Sequence, residues 1–354
     1  MDTRVLTVNP EHPDAAALAD AARILRDGGL VAFPTETVYG LGANALDASA
    51  LARIYEAKRR PANDPIIAHI AHRAQLDELA RDIPRAARQL AEAFWPGALT
   101  LVLKRAPCVP DNIAAGRDTV AVRMPAHPLA RALLLAADVP VGAPSANTFT
   151  RPSATTAAHV LEDLDGRIDL VLDGGPTPIG VESTVLDLTG DTPVVLRPGG
   201  VTLEALQAVL PETTLAPRYL AEDGATDAPG QLLKHYSPLA RVLLFTGAPA
   251  AVRARMRSEL DALVADGAAA GLLLAEEDLV MLDGLDAAVA HEVLGCEQDL
   301  SAVSRRLFDA LRALDRRGVD AILVRDFGRS GLGAALWDRL LRAAEGRIIA
   351  VDDP

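Results

Sequence analysis

The chain has 354 residues, of which 50% are hydrophobic and 23% are charged, and its formal net charge at pH 7 is −13. This balance excludes a natively unfolded chain and disfavours a protein that holds nucleic acid by bulk positive charge. The two cysteines, Cys108 and Cys296, exclude a disulfide scaffold or a cysteine zinc site as organising features. Apolar runs such as 129–137 are too short to cross a bilayer, and no secretory signal pattern precedes them, so we expect a cytoplasmic protein without a membrane span.

Helix and strand patterns alternate along the first two hundred residues. Periodicity and capping residues predict helices at 14–27, 48–59, 73–81, 84–94, 129–137, 155–164 and 203–209. Short β-type runs predict strands at 30–33, 66–70, 99–103, 120–124, 139–143, 169–172, 184–188 and 194–197. The segment 34–42 is expected to be a loop between a strand and a helix, because hydroxyl groups and glycines dominate it.

A second alternating region follows a stretch with little periodicity at 211–238, which is typical of a linker. Strands are predicted at 241–245, 271–275, 321–325 and 347–351, and helices at 250–265, 300–317 and 332–344. This alternation favours a small parallel α/β domain of the Rossmann-like type. The sequence therefore predicts a first domain at 1–212, a linker or lid at 213–240 and a second domain at 241–354.

Two cations of different geometry leave the end of one predicted helix. Lys58 and Arg60 precede Pro61, and the prolines that follow favour an extended path. Arginine dominates the basic residues of this chain, and lysine occurs only at positions 58, 104 and 234, so a retained lysine suggests a need for a compact charge. The pair fits phosphate oxygens better than a single carboxylate, although a cationic end that satisfies the helix dipole stays an alternative.

Other polar groups stand where predicted strands end, which is the usual place for ligands in α/β proteins. Arg123 ends a strongly β-type run and suits a carboxylate ligand. Ser145 lacks the Gly-x-Ser-x-Gly context of a hydrolase nucleophile and is interpreted as a hydrogen-bonding residue. His69 and His72 are interpreted as packed histidines and not as a metal site. Neither a P-loop nor a dinucleotide-binding glycine motif is present.

Seven motifs, in this order, resemble the YrdC-domain family, the threonylcarbamoyl-AMP synthases. They span roughly residues 15–210 and are 34–42, Lys58-x-Arg60-Pro61, 94–97, 122–125, 144–147, 182–185 and 197–199. The segment 229–238 and the region after it resemble the longer, two-domain form. The resemblance implies a twisted mixed sheet with helices around a concave cavity, followed by the smaller Rossmann-like domain.

By resemblance, such an enzyme combines L-threonine, bicarbonate and ATP, with Mg²⁺, into threonylcarbamoyl-adenylate and pyrophosphate. The product feeds N6-threonylcarbamoyladenosine formation beside the anticodon of tRNA, so the implied partners are the downstream threonylcarbamoyl transferase machinery and, weakly, tRNA itself. The resemblance assigns Lys58 and Arg60 to catalysis. It assigns threonine binding to Thr37, His69, Arg123, Ala143 and Ser183. It assigns nucleotide binding to Lys58, Arg60, Asp64, Thr119, Ser145, Asn147, Ser153, Arg197, Lys234, His235 and Tyr236, although members often carry Asn at the position of Asp64.

Two other functions stay open on the sequence alone. The same domain type occurs in carbamoyltransferases that mature hydrogenases, but those proteins add zinc-finger-like segments that two cysteines cannot build. A non-catalytic RNA-binding or ribosome-associated protein could use the same cations, but the acidic balance and the scarcity of aromatic residues disfavour it. The retained polar motifs favour the enzyme.

Overall fold

The computed structural model describes residues 2–216, 235–285 and 289–351, and the chain divides into two compact units. The first unit comprises Met1–Phe149 and Ser153–Gln231. The second comprises Thr150–Pro152 and Leu232–Pro354. The structure is therefore a two-unit α/β protein, and most of the predicted linker at 213–240 lies outside the described residues.

The first unit carries a large mixed sheet and seven helices within its described residues. Its strands are β1 (Arg4–Thr7), β2 (Val31–Pro34), β3 (Tyr39–Asn44), β4 (Ile67–His69), β5 (Leu99–Lys104), β6 (Thr119–Arg123), β7 (Val141–Gly142), β8 (Leu170–Asp173), β9 (Thr184–Asp187), β10 (Val194–Arg197) and β11 (Thr214–Leu215). Its helices are α1 (Ala15–Arg26), α2 (Ala48–Lys58), α3 (Gln75–Leu79), α4 (Arg85–Phe94), α5 (Pro128–Ala137), α6 (Ala157–Leu164) and α7 (Leu203–Gln207).

The eleven strands are ordered β1-β8-β2-β3-β7-β4-β6-β5-β9-β10-β11. Strand β4 lies parallel to β6 and antiparallel to β7, while β5 pairs antiparallel with β6 and parallel with β9. Helices α2, α4 and α6 contribute to the larger apolar core, and α1 and α5 contribute to a second core with β2 and β8. A mixed, twisted sheet with helices packed on it confirms the predicted fold class.

Strand β3 replaces the loop that the sequence predicts at 34–42. Gly40 and Gly42 weaken the strand signal, because glycine is depleted in strands. The structure needs one of them for packing, since a Cβ atom at Gly42 would lie 2.8 Å from the side chains of both Phe33 and Val141. The prediction of a loop was therefore wrong from Tyr39 onward, and only the turn at 35–38 remains between the two strands.

The second unit has a five-stranded parallel sheet ordered β14-β13-β15-β12-β16. Its strands are β12 (Arg241–Thr246), β13 (Ala270–Leu274), β14 (Ala290–Val293), β15 (Ala321–Arg325) and β16 (Ile348–Ala350), and its helices are α8 (Pro249–Ala265), α9 (Leu300–Arg316) and α10 (Leu332–Ala343). A 3₁₀ segment spans Glu276–Leu282. The parallel sheet with helical crossovers agrees with the Rossmann-like expectation.

The helices of the described residues are too short or too polar to serve as a membrane span.

Helix α2 delivers Lys58 to the site described below, and its start depends on Asp47. The Asp47 carboxylate accepts hydrogen bonds from Ser49 N at 2.8 Å and Ala50 N at 3.2 Å. We expect Asp47→Ala to lower the free energy of unfolding by about 1 kcal/mol, and Asp47→Asn to retain most of the stability. Urea unfolding measures both, and Asp191→Ala on an exposed turn is the matched control with a change below about 0.5 kcal/mol. Equal stability of the Asp47→Ala and control variants would contradict this role.

Candidate active site

One face of the sheet around β4, β6 and β5 carries polar side chains beside a small apolar floor. Side chains alternate along a strand, so Thr119, Ala121 and Arg123 share one face of β6. Ile67, Val102, Ala121 and Val185 form a buried apolar cluster on this face. The alternate residues, including Val120 and Val122, belong to the larger core. The polar groups that bracket the floor define the candidate site.

The amino ends of β4 and β6 carry the first polar group. Ile67 pairs with Ala121, so Thr119 and the 60–66 segment lie at the same edge of the sheet. The Arg60 guanidinium donates to Pro65 O at 2.7 Å and to Asp64 O at 3.2 Å, and it lies 2.9 Å from the Asp64 carboxylate. Both side chains of this ion pair are buried. The Arg60 guanidinium therefore balances the charge of the Asp64 carboxylate.

Lys58 is buried at the end of α2, with 1% of its surface exposed. Its Nζ donates to Ser145 O and to Asn147 O, both at 2.5 Å. Its carbonyl accepts Phe149 N at 2.8 Å. Burial, followed by the nearby charge of Arg60, lowers the Lys58 pKa well below its ordinary value. A desolvated amine held by two neutral carbonyls is suited to a ligand that supplies negative charge.

The carboxyl end of β6 presents Arg123, whose guanidinium is also buried. Its Nη1 donates to Thr37 Oγ1 at 2.9 Å, its Nη2 to Glu36 Oε1 at 2.7 Å and its Nε to Gly97 O at 3.1 Å. An arginine has five N–H groups, so two remain for a ligand among the described residues. An arginine fixed in this way is prepared to hold a carboxylate.

His69 ends β4 beside Arg123, because these two residues are register partners. Its Nδ1 lies 3.2 Å from Ile67 O, and its ring meets Phe33 edge-on. Burial, followed by the positive charge of Arg123, lowers the pKa of His69 to about 3. The imidazole is therefore neutral at physiological pH, and it can serve as a hydrogen-bonding wall of the pocket without adding a positive charge.

Ser183, which directly precedes β9, contacts Arg197 at the end of the neighbouring strand β10. The Ser183 carbonyl accepts Arg197 Nη2 at 2.9 Å, and its hydroxyl lies 2.8 Å from Thr100 Oγ1. Strand β5 places Thr100 opposite Arg123, so Ser183 lies between the Arg123 end of the site and Arg197. Gly199 permits this approach, since a Cβ atom there would lie 2.3 Å from Glu182 O.

The segment after β7 carries three more predicted site residues. Ala143 N donates to Ile67 O at 2.9 Å, and Ser145 forms an isolated bridge with Gly40 on β3. The carbonyls of Ser145 and Asn147 are the acceptors of Lys58. Ser153 in the first unit donates its hydroxyl to the Glu182 carboxylate. These contacts connect Lys58, β3 and β4 to one loop.

The other predicted nucleotide-binding residues are Lys234, His235 and Tyr236, which follow one another in the chain. Lys234 lies outside the described residues. His235 and Tyr236 belong to the second unit, where Tyr236 is fully buried, its ring centroid 4.0 Å from that of His235 and 5.4 Å from that of Phe308. The Arg339 guanidinium lies 5.1 Å from the Tyr236 ring centroid.

Three residues of the site were missed by sequence reasoning about individual positions: Glu36, Thr100 and Glu182. Glu36 lies between two threonines in motif 34–42, and Glu182 precedes a serine in motif 182–185. These positions could have marked both residues as candidates for the site. Their partners lie 87 and 29 residues away, and neither distance can be read from the chain. Thr100 looks like an ordinary strand residue, and no local pattern indicates its contact with Ser183.

Two family models match consecutive parts of the chain. The family model described as "Telomere recombination", Sua5_yciO_yrdC, matches residues 23–199. A second model, described as the C-terminal domain of threonylcarbamoyl-AMP synthase, matches residues 201–345.

Two relatives that match this chain over nearly its whole length are both named threonylcarbamoyl-AMP synthase. The threonylcarbamoyl-AMP synthase of Pyrococcus abyssi is 46% identical over 332 residues, covering 94% of this chain and 95% of that protein. The threonylcarbamoyl-AMP synthase of Bacillus subtilis is 44% identical over 336 residues, covering 94% of each. The crystal structure of P. abyssi Sua5 complexed with L-threonine matches with a TM-score of 0.92 at 45% identity, covering 99% of this chain and 100% of that one.

The depressed pKa of His69 predicts a measurable dependence of stability on pH. Below pH 6.5 the unfolded chain binds a proton at this residue while the folded protein does not, so folded stability is lost as the pH falls from 6.5 towards 3. Relative to His69→Gln, the wild-type protein should lose about 2 kcal/mol between pH 7 and pH 4.5. Urea unfolding of both proteins across this range tests the assignment. Parallel pH profiles would show that His69 titrates normally.

Proposed function

Because the chain belongs to the threonylcarbamoyl-AMP synthase family, we propose that it joins L-threonine, bicarbonate or CO₂, and ATP into L-threonylcarbamoyladenylate and pyrophosphate. Relatives of that name match both units over 94% of the chain. The single observation that carries the proposal is that the two ends of the parallel β4–β6 pair present different sets of polar side chains. Arg123 and His69 stand at its carboxyl end, and Arg60, Asp64 and Thr119 stand at its amino end.

The two ends suit the two substrates. Arg123 offers its remaining N–H groups to the threonine carboxylate, and neutral His69 lies beside it with Thr37, Ala143 and Ser183 contributing to the same pocket. Lys58 and Arg60 offer donors to the phosphates from the amino end, together with Ser145, Asn147 and Ser153. Arg197, which the register places level with Arg123, is proposed to reach the nucleotide from the other side of the floor. Strand β6 spans about 13 Å from Thr119 to Arg123 at 3.3 Å per residue, which leaves room for an amino acid and a nucleotide to meet over the apolar floor.

The reaction proceeds by two bond-forming steps without a covalent enzyme intermediate. The threonine amine adds to CO₂ and loses a proton, which gives a carbamate. A carbamate oxygen then attacks the α-phosphorus of ATP, and the bond to the bridging oxygen breaks to release pyrophosphate. The protein contributes positioning and charge stabilisation, with Lys58 and Arg60 nearest to the phosphates in this proposal.

Mg²⁺ is proposed to arrive with ATP. The described residues hold no group of three or more His, Cys, Asp or Glu side chains that could cage a metal ion. Mg²⁺ commonly takes most of its ligands from substrate phosphates and water, with at most one or two protein carboxylates. Bound there, the ion would neutralise phosphate charge, and the Arg60–Asp64 pair is the part of this chain that fits beside it.

His235 and Tyr236 are proposed to bind the nucleotide, as the resemblance to the family implies. A solved variant of P. abyssi Sua5, in which a His and a Tyr are each replaced by alanine, matches this chain with a TM-score of 0.91 at 44% identity. His235–Tyr236 is the one His-Tyr dipeptide in the sequence. We further propose that the product passes to tRNA threonylcarbamoyl transferase machinery in the cytoplasm, with at most weak contact between this chain and tRNA.

Threonine-dependent release of pyrophosphate tests the proposed reaction. Purified protein with ATP, Mg²⁺ and bicarbonate should release pyrophosphate only when L-threonine is added. Lys58→Ala and Arg60→Ala should each reduce the rate by about 100-fold or more, because each removes a preorganised charge.

The control is Arg23→Ala, which removes an exposed arginine of α1 that pairs with Asp20 and should leave the rate unchanged. Circular dichroism establishes that each variant is folded. Release that is indifferent to threonine would contradict the reaction, and near-normal rates in both charge variants would contradict the assigned roles.

A further inference from the structure

Glu36 contacts two segments that contribute to the predicted threonine pocket, the end of β6 and the segment that leads to Ser183. Its Oε1 accepts a hydrogen bond from Arg123 Nη2 at 2.7 Å, and its Oε2 accepts one from Ala126 N at 3.0 Å. The side chain therefore binds both the last residue of β6 and the loop that follows it. Its backbone carbonyl accepts Ile179 N at 2.9 Å, and the carbonyl of Thr37 accepts Gly180 N at 3.1 Å. These bonds attach the turn at 35–38 to the segment that leads to Ser183.

The carboxylate is almost fully enclosed and ionised. The side chains of Arg123 and Glu36 are 4% and 10% exposed. Burial alone would raise the pKa of Glu36, but the charge and hydrogen bond of Arg123 outweigh it, and the pKa is lowered. Glu36 therefore keeps its negative charge and balances a guanidinium that would otherwise be a buried, uncompensated cation whenever the pocket is empty.

The bonds of Arg123 fix its orientation as well as its charge. Each of its three guanidinium nitrogens donates one hydrogen bond, to Thr37, Glu36 and Gly97 respectively. Together these bonds fix the orientation of the guanidinium plane. Of these acceptors, Glu36 is the charged one, and charge-assisted hydrogen bonds are roughly twice as strong as neutral ones. Removing it would free the end of the side chain to turn towards other acceptors.

We propose that Glu36 is the positioning residue of the amino-acid pocket, which holds Arg123 in the orientation that binds the threonine carboxylate. The proposal rests on the proposed function and deepens it, because it separates recognition of threonine from recognition of ATP. Glu36 acts through Arg123 and takes no part in the bond-forming steps.

Substitution of Glu36 should affect one substrate selectively. Glu36→Ala should raise the KM for threonine by about tenfold or more while changing the KM for ATP by less than about threefold. Glu36→Gln keeps an oxygen for Arg123 but faces the Ala126 N–H with its own amide donor, so it should restore part of the loss. Calorimetric titration with threonine in the absence of ATP should give the same order of affinities: wild type, Glu36→Gln, Glu36→Ala.

Two controls separate positioning from a general loss of structure. Asp169→Ala removes the partner of Arg53 at 3.0 Å and the acceptor of Leu30 N at 2.7 Å, outside the pocket. It should lower the melting temperature without changing the KM for threonine. In an Arg123→Ala background, Glu36→Ala should change threonine affinity by less than about twofold, because the residue through which Glu36 acts is gone.

Each outcome decides the proposal. Equal rises in the two KM values, an unchanged KM for threonine in Glu36→Ala, or a full additional loss in the Arg123→Ala background would overturn it. If Glu36→Ala does not fold, Glu36→Gln alone must show the threonine-selective change. If the wild-type protein binds threonine but releases no pyrophosphate, the proposed reaction fails while this inference stands.

Discussion

The burial of Lys58 is the constraint on which the rest of the candidate site depends. A desolvated lysine is costly, and here two backbone carbonyls, at Ser145 and Asn147, accept its hydrogen bonds. Those bonds fix the loop after β7 to the end of α2, and the bond from Phe149 N to the Lys58 carbonyl closes the same connection. The fold thus holds the Lys58 amine in place although burial lowers its pKa, and a bound phosphate would favour the protonated form of that amine.

The parallel pairing of β4 with β6 gives the site its direction. Parallel strands present their carboxyl ends at one edge, so His69 and Arg123 meet there, while Arg60 and Thr119 belong to the opposite edge. The cations at the two edges are compensated differently. Arg123 and Arg60 each have a carboxylate partner, Glu36 and Asp64, whereas the hydrogen bonds of Lys58 go to neutral carbonyls. Because no carboxylate accepts a hydrogen bond from Lys58 in these contacts, Lys58 is the group whose protonation an anionic ligand would favour most.

Local patterns were enough to predict most helices, the mixed and parallel sheets and the motif residues, because capping aspartates and apolar periodicity are short-range signals. They failed at β3, where Gly40 and Gly42 hide a central strand, and at the short strands β1, β11 and β14, whose four or fewer residues carry little pattern. The pairing of Glu36 with Arg123 and of Ser153 with Glu182 depends on sheet topology, which no local pattern specifies. Asp64 is instructive, since its role as the partner of Arg60 became visible only with both side chains placed.

We expect the two ends of the β4–β6 pair to bring a threonine carbamate onto the α-phosphorus of ATP. Mass spectrometry of the product formed from ATP, L-threonine and [¹³C]bicarbonate tests it most directly. The account predicts an adenylate that contains threonine and one ¹³C atom, formed together with pyrophosphate. A threonine adenylate without the label, or pyrophosphate release without any labelled adenylate, would contradict it.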